Sequence, residues 1–99
     1  MRLVLLRFVN SQLGSSSVTI TLLYFAAIRD LVGRAEEKMA LPPEITSIGA
    51  LAAHLAKIIP GLLPRLGSVR WAKNEIFVDF TATLEEGDVI ALIPPVAGG

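Results

Sequence analysis

The sequence predicts an α+β domain, a mixed sheet with one main helix packed on one face. Three observations carry that prediction. Val18–Phe25 and Val89–Ile93 are near-continuous apolar runs, the pattern of parallel strands buried at the centre of a sheet. Between them lies one amphipathic stretch, Ser47–Ile59, with Ile48, Leu51, Ala52, Leu55, Ile58 and Ile59 at helical spacing. Two short runs, Val69–Lys73 and Glu75–Phe80, read as strands pivoting at Asn74, a residue that tolerates the left-handed backbone of a tight turn.

Each element has a local reason. Asn10–Ser17 contains Ser, Gly and Gln and reads as a linker. Residues 1–17 are therefore expected to be a poorly ordered N-terminal extension, 18–93 the domain, and 94–99 an extended tail. Val18–Phe25 is β-branched and aromatic, hence a strand. Ala26–Val32 has Ile28, Leu31 and Val32 at helical spacing and stops at Gly33, which predicts a short helical turn. Arg34–Leu41 alternates, with Glu37, Met39 and Leu41 on one side, and ends at Pro42-Pro43, as an edge strand should. Ser47 caps the main helix and Pro60-Gly61 ends it. Leu84–Asp88 is a turn leading into the last strand. This order is that of the β-grasp (ubiquitin-like) roll, in which the first and last strands lie side by side and parallel at the sheet centre. Such a likeness of fold assigns no function.

Composition excludes several function classes. Ninety-nine residues, 53% of them hydrophobic, supply one core and exclude disorder of the whole chain. Nine Lys and Arg balance nine Asp and Glu, so no bulk field draws nucleic acid or an anionic membrane. From Asn74 onward there are five acids (Glu75, Asp79, Glu85, Glu86, Asp88) and no Lys or Arg, so a partner reading this end should present basic residues. The chain has no cysteine and one histidine, His54, which rules out disulfides, thiolate metal sites and a cysteine nucleophile. His54 reads as an edge residue of the helix, and Glu36-Glu37 and Glu85-Glu86 as solvated or turn carboxylates. Trp71 and Tyr24 read as strand core. Leu3–Val9 is short and broken by Arg7, too little for a signal peptide or a membrane span, so a cytoplasmic location is expected. No glycine-rich phosphate loop occurs, so any ATP chemistry belongs to a partner.

The remaining candidate is the tail, Pro94-Pro95-Val96-Ala97-Gly98-Gly99. Six extended residues reach roughly 20 Å, enough to enter another protein's active site. The prolines end the strand and hold an extended path. Gly98 and Gly99 let a narrow tunnel close on the backbone and leave the terminal carbonyl open to attack. A carboxylate is inert until adenylation makes it a mixed anhydride, which a sulfur nucleophile converts to a thiocarboxylate. Strand alternation adds a docking surface. If the helix covers the face of Ile20, Leu22, Ile90 and Leu92, then Phe25, Phe77 and Ile93 stay on the uncovered face beside the tail.

Two segments carry a resemblance to a known family. Phe25-Ala26-Ala27-Ile28-Arg29-Asp30-Leu31-Val32-Gly33 resembles the motif after the first strand of molybdopterin synthase small subunits. Leu84 to Gly99 resembles that family's C-terminal signature without a gap, and the similarity runs from about Ile20 to Gly99. The resemblance implies a sulfur carrier of molybdenum cofactor biosynthesis that is no enzyme alone and binds no cofactor. A ubiquitin-activating-type enzyme would use ATP to adenylate Gly99, and the thiocarboxylate would enter the large synthase subunit and build the dithiolene of molybdopterin. Gly98 would thread, and Phe25, Phe77, Ile93, Pro94, Pro95 and Val96 would meet the partner. Lys73 stands where the family usually has an apolar residue. The sulfur carrier of thiamine biosynthesis and a ubiquitin-like modifier joined to lysines share the terminal Gly-Gly and remain alternatives. A plain interaction module would need no free Gly-Gly.

Overall fold

The computed structural model describes residues 18–95. Five strands form one sheet: β1 (Thr19–Tyr24), β2 (Glu36–Ala40), β3 (Arg70–Lys73), β4 (Ile76–Val78) and β5 (Val89–Ile93), in the order β2-β1-β5-β3-β4. The apolar runs β1 and β5 pair in parallel at the centre, Leu22 beside Ile90 and Tyr24 beside Leu92. The other pairings are antiparallel. Helix α1 (Ala26–Val32) follows β1, and α2 (Ile48–Ile58) crosses the sheet. Among the described residues no helix is long and apolar enough to cross a membrane.

The core lies between α2 and one sheet face. Ile20, Leu22, Tyr24, Trp71, Ile90 and Leu92 point from the sheet to Ile48, Leu51 and Leu55 of α2, all buried, with Ile28 of α1 closing one end. Burying each such large aliphatic side chain contributes about 1.5–3 kcal/mol. The first turn of α2 is satisfied locally. Ser47 Oγ accepts from Ala50 N at 3.2 Å, while Ile48 N and Gly49 N donate to the carbonyls of Ala82 and Phe80. A Cβ at Gly49 would stand 3.3 Å from the Phe80 carbonyl oxygen, so a larger residue would press on this close crossing.

The main helix stops before Pro60-Gly61, as expected, but the segment beyond it, Pro60–Ser68, forms a 3₁₀ helix that buries Leu62 and Leu66 and that the sequence reading did not include. Two expectations need correction. Ile58, assigned to the buried stripe of α2, is 50% exposed, because the stripe ends at Leu55. The strand expected over Glu75–Phe80 spans only Ile76–Val78: Asp79 Oδ1 accepts from the N–H and hydroxyl of Thr81, and this local turn takes the chain out of the ladder.

Asn74 does more than turn the chain. Asn74 and Glu75 have φ of 51° and 73°, the paired left-handed residues of a two-residue hairpin turn. Asn74 also bonds Val89 through both its main-chain N–H and its side-chain oxygen, and its amide donates to Asp88 Oδ1. Asp88 is 6% exposed, and its other oxygen accepts from Glu85 N and lies 3.8 Å from Lys73 Nζ. Lys73 further donates to the Thr83 carbonyl at 2.9 Å. Lys73 therefore helps to neutralise a buried carboxylate.

Glu37, read as solvated, is half-buried and accepts from the Tyr24 hydroxyl at 2.9 Å. Burial pushes the phenol's ionisation well above its ordinary value, and the Glu37 hydrogen bond and charge add to it. With a raised folded-state pKa, this stabilisation is complete below the unfolded phenol value of about 10 and is lost as pH climbs above it. Tyr24 is the one tyrosine, so phenolate absorbance reports it alone. In an alkaline titration the phenolate should appear only together with loss of circular dichroism. Phenolate at pH about 10 with native dichroism would contradict that.

Candidate functional site

The second face of the sheet carries no helix among the described residues. Strand register places Leu23, Ala91, Ala72 and Phe77 in one row across β1, β5, β3 and β4. Alanines occupy the two middle strands and large side chains the outer ones, so the row sags. The result is a shallow apolar concavity of about 480 Å³, to which Phe25, Val89 and Ile93 also contribute, with Asn74 and Glu75 at its polar rim. Phe25 is 44% and Phe77 55% exposed, unusual for residues of that size. The Arg70 guanidinium lies 3.8 Å from the centre of the Phe77 ring, a cation–π contact that orients the ring.

Phe25 sits where β1 ends, its N–H donating to the Leu92 carbonyl at 3.3 Å. The next residue, Ala26, has φ of 48°, a left-handed conformation that swings the chain at once into α1. One strand over, Ile93 ends β5. Pro94 is half-buried and Pro95 exposed, and neither has an N–H to continue the ladder. The departing tail and Phe25 thus share one end of the open face. Val96, Gly98 and Gly99 lie outside the described residues.

Phe25, Phe77 and Ile93 therefore line one surface. Sequence reasoning did not pick out Ala72, since nothing in its surroundings says that it stands opposite Ala91 and Phe77. The charge pattern is asymmetric here. Glu75, Asp79, Glu85 and Glu86 are exposed, whereas Asp88 is buried and its charge is met by Lys73. Hydrogen bonds from Thr81 hold the Asp79 carboxyl below its ordinary range, so it stays charged. Trp71 is core, its ring set edge-on to Phe80 at 6.5 Å, and His54 is half-buried on α2. Among the described residues no group of three His, Cys, Asp or Glu is placed to hold a metal ion.

Parallel central strands, a crossing helix and an open apolar face beside an outgoing C-terminal segment define a ubiquitin-like β-grasp protein. The sequence model of the ThiS family matches residues 22–99, and the chain belongs to that family. A Drosophila yakuba protein named molybdopterin synthase sulfur carrier subunit is 35% identical over 85 residues, covering 83% of this chain and 92% of that one. Among solved structures, a putative molybdopterin converting factor subunit 1 from Pyrococcus furiosus superposes with a TM-score of 0.72 at 29% identity, over 80% of this chain and 99% of that one. A chain from the Helicobacter pylori complex of molybdopterin-converting factor subunits 1 and 2 is 30% identical, with a TM-score of 0.59, over 83% of this chain and 100% of that one.

Proposed function

We propose that this chain is the sulfur-carrying small subunit of molybdopterin synthase, with Gly99 as the reactive residue. The observation that carries the reading is the tail itself. It leaves the central strand β5 beside an open apolar face, and the family match extends to residue 99. An adenylating enzyme of the ubiquitin-activating type attaches AMP to the Gly99 carboxylate, and pyrophosphate leaves. A sulfur nucleophile then attacks the mixed anhydride, AMP departs, and the carboxylate becomes a thiocarboxylate. The domain supplies no group to either step. It docks through the open face and holds the tail extended, and the glycines admit the terminus to the partner's active site. That a relative is named a synthase carrier subunit, and that a neighbour forms a complex of subunits 1 and 2, supports the large subunit as the acceptor. The acidic residues of 75–88 match a partner whose rim is basic.

The test is an intact-mass measurement after incubation with the activating enzyme, ATP and a sulfide source. The mass should rise by the difference between a sulfur and an oxygen atom. An unchanged mass under conditions where a known carrier is loaded would sink the reading.

A further inference from the structure

Phe77 borders two hollows, the concavity on the open face and a smaller one of about 250 Å³ that Arg70, Val78, Asp79 and Phe80 also line. Arg70 is the one cation in either lining. It pairs with Ile93 at the root of the tail, and alternation with buried Trp71 puts it on the open side. Arg70 is exposed, and its guanidinium rests on the Phe77 ring. Among the described residues no carboxylate lies within ion-pair distance of it. Asp79 is the nearest by register, since Trp71 stands opposite Val78, but Thr81 engages that carboxylate.

In the free chain the guanidinium keeps its water. Docking changes that, because a partner that covers Phe77 also covers the cation stacked on it. A guanidinium taken out of water without a counter-charge is costly, whereas a carboxylate in the plane of its N–H fork offsets the desolvation. The ring contact fixes the guanidinium, so its donors are held ready for a planar acceptor. The smaller hollow lies beside it and has room for one short acidic side chain.

We propose that the partner covering the open face presents a carboxylate to Arg70, seated in the smaller hollow. In the functional reading above, on which this rests, that partner is the large subunit. Its contact surface is then apolar over the alanines, basic toward Glu75, and acidic at one point beside the tail root. Arg70 thus acts as a specificity residue in both directions. A partner with an apolar residue at that point leaves the guanidinium unpaired, and a carrier with an apolar residue 70 leaves the carboxylate unpaired.

The direction of one effect decides. Arg70→Leu removes the charge and keeps apolar bulk at an exposed position, so the melting temperature should hold. With a carboxylate opposite, Kd for the large subunit should rise on the order of a hundredfold. With an apolar residue opposite, the same variant would bind as tightly as the wild type or more tightly. Arg70→Lys should fall between, since it keeps the charge and loses the fork. Asp79→Asn should stay within about twofold of the wild type. Burial without a counter-ion raises the pKa of the stranded carboxylate. Lowering the pH from about 7.5 to about 5.5 should therefore narrow the gap between Arg70→Leu and the wild type. Loss of the Phe77 ring contact alone predicts no such narrowing. Calorimetric titration of the full-length chains against the large subunit, paired with melts, reads each of these. Arg70→Leu binding as well as the wild type, a loss reproduced by Asp79→Asn, or a gap that ignores pH would each overturn the proposal. So would self-association of the free chain that Arg70→Leu abolishes, which would assign the carboxylate to a second copy. A wild-type chain that does not bind the large subunit would remove the functional reading as well.

Discussion

Removing Gly99, or appending one alanine after it, should abolish sulfur loading and leave the melting temperature where it was. The described residues explain the second half. The ladder ends at Ile93, Pro95 is exposed, and the core is closed by residues between Ile20 and Leu92. The first half follows from reach. A terminus shifted by one residue misplaces its carbonyl by about 3.5 Å, and even 1 Å at a reacting centre costs on the order of a hundredfold in rate. Intact mass after loading, a melt, and molybdopterin formation with the large subunit check the three parts. Loading that survives the added alanine would show that the terminal carbonyl is not the reacting group.

The second large effect concerns docking. Phe77→Asp should weaken binding to the large subunit by about 2–4 kcal/mol, roughly a 30- to 1000-fold rise in Kd. A half-exposed aromatic at the edge of an apolar concavity is the kind of anchor whose loss is felt in binding and hardly in folding. Ile93→Asp should weaken binding similarly but lower the melting temperature further, because Ile93 is half-buried at the end of a central strand. Ile76→Asp is the control: it is more exposed than Phe77, yet alternation directs it away from the concavity. Calorimetric titration paired with thermal melts separates these outcomes. Equal affinity for Phe77→Asp and the wild-type chain would mean that the partner uses another surface.

Much of this could be read from the amino acids, for identifiable reasons. The apolar runs of β1 and β5 say that both are central, Ser47 says where α2 begins, and Asn74 says where the hairpin turns. Period-two alternation alone divides Leu22 from Leu23 and so separates the covered face from the open one. What escaped depended on distant partners. Pro60, Gly61, Pro64 and Gly67 break an α-helix, but a 3₁₀ helix tolerates them when Leu62 and Leu66 have a core to enter. The Asn74–Asp88 clamp joins residues far apart in sequence, and neither announces the other. The low centre of the concavity needs Ala72 and Ala91 to be neighbours, which only the register of β3 against β5 decides.

The central pairing of β1 with β5 also governs how the molecule comes into being. On a growing chain β1 emerges first, yet its neighbour on one side is the last strand to appear. Until then the sheet has no middle: β2 can pair with β1 and β4 with β3, but among the described residues the two halves of the sheet pair only through β5. Contacts so remote in sequence make folding late and concerted, and leave Ile20, Leu22 and Tyr24 in search of cover meanwhile. The segment that completes the sheet is the one that carries the tail. A molecule interrupted before Val89 would therefore lack both its structural centre and its outgoing segment, so premature products should be cleared as unfolded chains rather than persist as folded, inactive competitors for the partner.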